Sequence, residues 1–372
     1  MLTAAHVRAE RTRQSAERAR ARGHVPGPMP AQAPPDVIEA AYAARLRRLV
    51  GRAIDDAYAP LLRALPELVA RARSERGDAA GWRADASHSG RSASALVKEA
   101  EAAMRSALPH AAVAAAAKEA GADVDSHNRF QLARQFRVVL GIDLAGRDNA
   151  AQKQLVAGFI HENVKLITGI TPTLARDVEA ALLAGLTGGQ LHEMLAITIK
   201  RRMGIATDRA ELIAVDQIGK INGQVNAARQ RDLGITRFKW RTVGDERVRG
   251  NPAGLYPKAD PSHYARNGKI YAWSDPPKGK KGEAEIPGVP IRCRCSGDPV
   301  LEDVLPATTV ADPVPGAAVA PPPDVDALEA EAARLQREVE AMLSKIDDAG
   351  RAMAMRGFPL PPGELSIHEI GR

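Results

Sequence analysis

Between Asp36 and Gly234 the apolar residues return every three or four positions, the spacing of one face of an α-helix rather than of a strand. Ile38, Tyr42, Leu46, Leu49, Ala53 and Ala57 open the pattern, and Leu212, Val215, Ile218, Ile221 and Val225 close it. A chain written this way buries helical stripes against one another. Composition agrees: aromatic residues make up only 3% while alanine is abundant, which favours close-packed helices over aromatic-rich sandwiches. With 45% hydrophobic residues among 372, a wholly disordered chain is excluded, and there is length for two or three domains.

Breakers and caps divide the helical text. Pro60 and Pro66 mark a turn, with helix resuming over 67–73, and the Ser/Gly-rich run 85–94 precedes a helix at 95–108. Further helices are expected over 111–119, 129–140, 150–168, 173–184 and 187–203. The strongest runs from Thr207 to Leu233, with Thr207 as N-cap, Asp208 and Glu211 at the positive end of the dipole and Gly234 as the stop.

The period then changes. Residues 237–243 alternate bulky and basic side chains as a strand does, and 268–273 read as a second strand among many turn formers. A Pro/Ala linker follows, and then a helix in which Leu328, Leu335 and Met342 repeat every seven residues, beside a second seam of Ala332, Val339 and Ile346. That helix is a coiled coil or a docked amphipathic helix. The expected class is α+β: a basic arm and Pro-rich linker (1–35), a helical region (36–158), a small loop-rich α+β domain (159–305), a linker (306–325) and a C-terminal helix and tail (326–372).

Charge is unevenly spread. Residues 201–300 hold nineteen basic and eleven acidic side chains, more than the whole +7 surplus, so this region faces something anionic or serves solubility alone. Residues 1–22 contain six arginines and read as a solvated arm, or as an arm for nucleic acid or a partner. No secretory signal is legible there, and the apolar run Ala111–Ala117 falls far short of the ~20 residues that span a bilayer, so a soluble cytosolic product without membrane partners is expected.

Two cysteines, Cys293 and Cys295, flank one arginine. A disulfide between such near neighbours is strained, which excludes a disulfide-stapled fold. On extended backbone residues i and i+2 share a face, so both thiols point one way while Arg292 and Arg294 point the other. A tetrahedral zinc site needs two more ligands, for which His263, Asp245 and Asp275 are the nearby candidates; the alternative is a pair of reduced thiols packed in a small core. A thiol nucleophile with His263 and Asp275 has no recognisable spacing. No phosphate-binding loop, dinucleotide fingerprint, HExxH or GxSxG occurs, so nucleotide hydrolysis, dinucleotide redox chemistry and the familiar hydrolases lack their machinery, and no enzyme is expected. The charged run Asp245, Glu246, Arg247, Arg249 is either a solvated turn or a buried polar network. Lys278, Lys280 and Lys281 form a basic loop, a soluble tip or a phosphate contact of DNA.

The ENVKLI and RAELIA helices, the W-x-T-x-x-D-E-R-V-R run, a His before G-K-I-Y-x-W and a terminal C-R-C occur together over about 159–304. In that combination the chain resembles the phage Mu F-like minor head protein family, also called phage head morphogenesis proteins. The family's signature positions fall on Trp240, Asp245, Arg247, Arg249, His263, Gly268, Trp273, Pro276, Cys293, Arg294 and Cys295. One departure is clear: the family's His follows the D-x-R-x-R motif closely, whereas here residues 250–262 intervene. The resemblance implies a minor capsid protein of the phage head interior or portal region, made in the host cytoplasm and assembled with portal and with major capsid or scaffold protein. Contact with packaged DNA is implied for some relatives, and the C-terminal helix would self-associate or dock a partner. Two other readings remain beside it: a metal-dependent enzyme working through His263 and the cysteines, and a nucleic-acid module using the arm from Arg8 to Arg22.

Overall fold

A computed structural model describes residues 4–77, 83, 85, 87–144 and 150–301 of the chain. The expected linker at 306–325 and the heptad helix at 326–372 lie outside the described residues. Those described belong to one compact unit, Met1–Ala307. They form helices α1 (Ala4–Ala21), α2 (Asp36–Gly77), α3 (His88–Ala107), α4 (His110–Leu140), α5 (Ala150–Thr168), α6 (Ile170–Thr187) and α7 (His192–Asp232), then strands β1 (Arg237–Arg241), β2 (Ile270–Ala272) and β3 (Ser296–Pro299). The class is α+β, mostly helical with a small sheet.

The helices are fewer and longer than local signals imply. Residues 187–203 and 207–233 belong largely to one 41-residue α7. Thr207 is no N-cap: its Oγ1 donates back to the Met203 carbonyl at 3.1 Å, in mid-helix. The reason is burial, because Met203, Ala206, Ala210 and Ala214 stay on the core face straight through the junction. Leu212, expected on that face, is exposed, and the small Ala210 and Ala214 take its place.

The turn expected at Pro60 and Pro66 is also absent, since α2 runs through both. Each proline removes a backbone donor and crowds the preceding turn, at a cost of about 3 kcal/mol. Both rings are exposed, while Tyr58, Leu61, Leu65, Leu68 and Val69 are buried, so packing outweighs the local penalty. In the same way α4 bridges the gap left between 119 and 129, where Ala120, Val124 and Asn128 face inward. It ends where Gly141 adopts φ +68°, the left-handed stop that glycine permits. α3 starts earlier than expected, at His88, because Ser87 caps it by accepting from the Gly90 amide at 2.9 Å.

One apolar core joins α2 through α7, and α7 packs on α2, α4, α5 and α6. The boundary placed between 158 and 159 falls inside α5, and the core continues across it. A second cluster gathers Ala16 and Ala19 of α1 with Leu132, Phe136 and Leu140 of α4, and with Ile235 and Leu301. The arm is therefore a docked helix rather than a solvated one, because alanines three apart give it a narrow apolar stripe that fits between larger side chains.

The sheet has the order β2-β1-β3, all antiparallel. β1 stops at Arg241, two residues short of expectation, and pairs Phe238 with Tyr271 and Trp240 with Gly297. Phe238 and Trp240 both face inward. Buried amides fasten the sheet to α7: Gln230 Nε2 and Asn226 Nδ2 donate to the Gly297 carbonyl at 2.7 and 2.9 Å, and Trp273 Nε1 donates to Gln230 Oε1 at 3.2 Å. No described helix is long and apolar enough to cross a membrane.

Candidate metal centre

The two cysteines lie just ahead of β3, in irregular backbone that carries Arg292 at φ +55°. Asp216 of α7 steadies this bend by accepting from the Arg292 amide at 3.1 Å. The alternation expected of an extended chain holds although the strand begins only at Ser296: Cys293 and Cys295 are each 6% exposed, while Arg292 is exposed and Arg294 turns toward Asp245. Glycines on α7 let this segment come close. A Cβ on Gly219 would stand 3.0 Å from the Cys293 carbonyl oxygen, and one on Gly223 would overlap the carbonyl of Pro287.

His263 arrives from the other side. The intervening residues 250–262 close on themselves, with the Gly250 amide donating to Tyr256 O at 2.9 Å and the Tyr264 amide to Arg249 O at 3.0 Å. His263 is thereby returned beside the D-x-R-x-R turn, immediately before a 3-10 turn at Tyr264–Arg266. It is 2% exposed and stands edge-on to Trp240, with ring centroids 5.2 Å apart.

The three side chains meet. His263 Nδ1 is 3.4 Å from Cys293 Sγ and 3.7 Å from Cys295 Sγ, and the three atoms lie within 4.8 Å of one another. This buried His/Cys/Cys group could hold a metal ion. A hydrogen bond with Cys295, together with the neighbouring imidazole, holds Cys293 well below the ordinary thiol range. The same bond to Cys293, followed by burial, pushes Cys295 well above it. On the far side of the ring Nε2 faces Glu285 Oε2 at 3.5 Å. Glu285 is paired in turn with Arg266, which donates to Lys278 O at 2.7 Å and covers the face of Trp240 at 5.0 Å from its centroid.

Other sequence candidates are elsewhere. Asp245 does not join the sulfurs: its carboxylate is held by Arg294, lies 3.5 Å from Arg247, and accepts from the Arg247 amide at 3.1 Å. This is a half-exposed turn network rather than a ligand. Asp275 is exposed and lies 3.4 Å from Lys278. Arg249 donates to Ile291 O at 2.8 Å and ties the loop to the cysteine segment. Gly268 supplies φ +79° next to β2, while Trp273 is stacked on Phe238 with centroids 4.0 Å apart. Pro276 is buried, and Lys278, Lys280 and Lys281 sit on an exposed loop. Sequence reasoning missed Glu285, Arg266 and the α7 glycines. The last had a signal in G-K-I-N-G, two glycines one turn apart inside a helix where each is costly.

A cleft of about 760 Å³ opens beside the centre, and His263, Cys293 and Cys295 form part of its wall. Glu39 and Arg47 of α2, Glu211 and Val215 of α7, and Arg249 and Arg294 add to its lining. Burial raises Glu39 above the ordinary carboxylate range, and Asp36 adds to the shift.

Residues 176–297 match the family model described as Phage Mu protein F like protein. A protein of Haemophilus influenzae (strain ATCC 51907 / DSM 11121 / KW20 / Rd), described as uncharacterized, is 29% identical over 181 residues, covering 48% of this chain and 37% of that protein. The chain thus spans little more than a third of that relative's length. No solved structure matches. The matched segment begins in α6 and takes in α7, β1, β2, the His263–Cys293–Cys295 group and the start of β3, so this part of the chain is similar to phage Mu F-like proteins.

Proposed function

We propose that the chain works in phage head morphogenesis as a minor capsid protein, binding portal and major capsid or scaffold protein rather than turning over a substrate. The observation that carries this reading is the family match over 176–297, a segment packed into a single unit with the helices that precede it. The signature side chains serve packing and loop anchoring: Trp240 and Trp273 fill the sheet's inner face, and Arg249 and Arg294 tie loops together. Packaged DNA is a further partner in this reading, supported by the exposed Lys278–Lys281 loop and the basic surplus of residues 201–300. Such contacts would weaken steeply with salt, since each neutralised phosphate releases counterions.

Quantitative mass spectrometry of density-purified virions and of DNA-free heads, scaled against portal and major capsid protein, tests the assignment. A low and fixed copy number in both particles is the expected result. Absence from both particles overturns it.

A further inference from the structure

We propose that His263 Nδ1, Cys293 Sγ and Cys295 Sγ bind one zinc ion whose fourth coordination position opens into the adjoining cleft.

Spacing carries the first part of the inference. Zinc bonds of about 2.3 Å to sulfur and about 2.05 Å to nitrogen, at tetrahedral angles, place S and N about 3.6 Å apart. The two S···N separations, 3.4 and 3.7 Å, bracket that value. Without an ion Nδ1 can serve only one sulfur well at a time, since it carries either one N–H or one in-plane lone pair. A cation between the three atoms uses that lone pair and both sulfurs at once.

The surroundings carry the second part. Metal-binding histidines orient themselves by donating the other ring N–H to a carboxylate or carbonyl. Here Nδ1 faces the sulfurs while Nε2 faces Glu285, and Arg266 fixes Glu285 from behind. Nε2 is buried, and among the described residues it has no hydrogen-bond partner of good geometry, which leaves Glu285, 3.5 Å away, as the carboxylate to accept from it once Nδ1 is committed to an ion. Two thiols and one imidazole select a soft or borderline divalent ion over magnesium or calcium. Zinc takes both sulfurs as thiolates and the imidazole in its neutral form, so whatever protons these groups still carry go to solvent, and the loaded site has a charge near zero, suited to burial. Three protein ligands leave the fourth position to water, and the cleft is the route by which it arrives. This inference does not rest on the head-assembly reading, and its failure would leave that reading intact.

The test uses the full chain, reduced and purified without chelator, incubated with zinc and desalted, with metal measured by plasma mass spectrometry. One zinc per chain is expected, with loss of the zinc in H263A and in the C293S/C295S double variant. Glu285→Gln, which leaves every ligand in place, should weaken zinc affinity by roughly 10–100-fold. Circular dichroism establishes that each variant is folded. Should the double variant fail to fold, wild-type protein alone decides: zinc should protect both thiols from alkylation, and a chelator should restore their reactivity. Cobalt(II) in place of zinc should give tetrahedral ligand-field bands and a thiolate charge-transfer band, and azide should shift them. A cobalt spectrum indifferent to azide overturns the open fourth position. Wild type that retains no zinc, with thiols equally reactive in its presence, overturns the site.

Discussion

Gly219 and Gly223 lie one turn apart on α7 where the loop from Pro287 to Cys293 crosses it, and their missing side chains set how close the cysteines come to the helix. Replacing a mid-helix glycine by alanine ordinarily gains about 1 kcal/mol. Gly223→Ala should instead destabilise by about 1–3 kcal/mol, because the new methyl overlaps a backbone carbonyl that cannot swing aside. Gly204→Ala, on the same helix with open space around the position, is the control and should stabilise by up to about 1 kcal/mol. Urea unfolding of the two variants decides, and equal stabilisation would show that the loop does not press on α7. At this scale the site was partly legible. Cys293 and Cys295 announce themselves because a one-residue spacing fixes their common face, and His263 because few other ligands are near. Glu285 and Arg266 were not legible, since their roles depend on where a 3-10 turn and a distant loop meet. Asp245 misled because closeness in sequence does not reveal that Arg294 has already claimed its carboxylate.

Whole helices follow a different balance. The three-and-four spacing identified where helix lies, and it failed at the joins, because cap and breaker residues act locally while burial acts over the full stripe. Thr207 and the two prolines of α2 are the cases in point. Pro60→Ala should therefore raise stability by about 1–3 kcal/mol, since the ring is exposed and its removal restores a helical hydrogen bond. Thermal melting checks the sign, and an unchanged or lower midpoint would mean that α2 depends on the distortion. Between helices, α7 is tied to α4 by Arg229, whose Nη2 meets Asp125 Oδ1 at 2.6 Å and whose Nη1 donates to Asp125 O and Asn128 Oδ1 at 2.9 Å. Asp125→Ala removes the carboxylate and leaves the guanidinium buried, which should cost about 3–5 kcal/mol. The D125L/R229M double variant should recover most of that loss, because it leaves no buried charge behind; Arg129, which also pairs with Asp125 at 2.8 Å, is 37% exposed and can turn to solvent. A double variant as unstable as D125A would locate the cost in packing instead.

Taken whole, the unit closes where its first helix meets its last described residues. Ala16 and Ala19 of α1 pack with Leu132, Phe136 and Leu140, and Ile235 and Leu301 complete the same cluster. Ala9 stands against Gly234 at the end of α7, so α1 covers the junction between helical core and sheet. Composition hid this contact: a stretch with six arginines in 22 residues looks like a free polycation, and only the alanine spacing betrays a docking face. Two consequences separate a docked helix from a free arm. Ala16→Asp, which would place a carboxylate at a 1% exposed position, should lower stability by several kcal/mol, as buried unpaired charges do. A free arm would tolerate it without effect. Limited trypsin digestion gives the second reading, because the exposed arginines of α1 are intrinsically good cleavage sites that a docked helix protects. The wild-type arm should resist cleavage until the unit unfolds, while the A16D arm should be cut early with the remaining helices still intact by circular dichroism. Early cleavage of the wild type at the same rate would return the arm to solvent and make its arginines free to meet DNA.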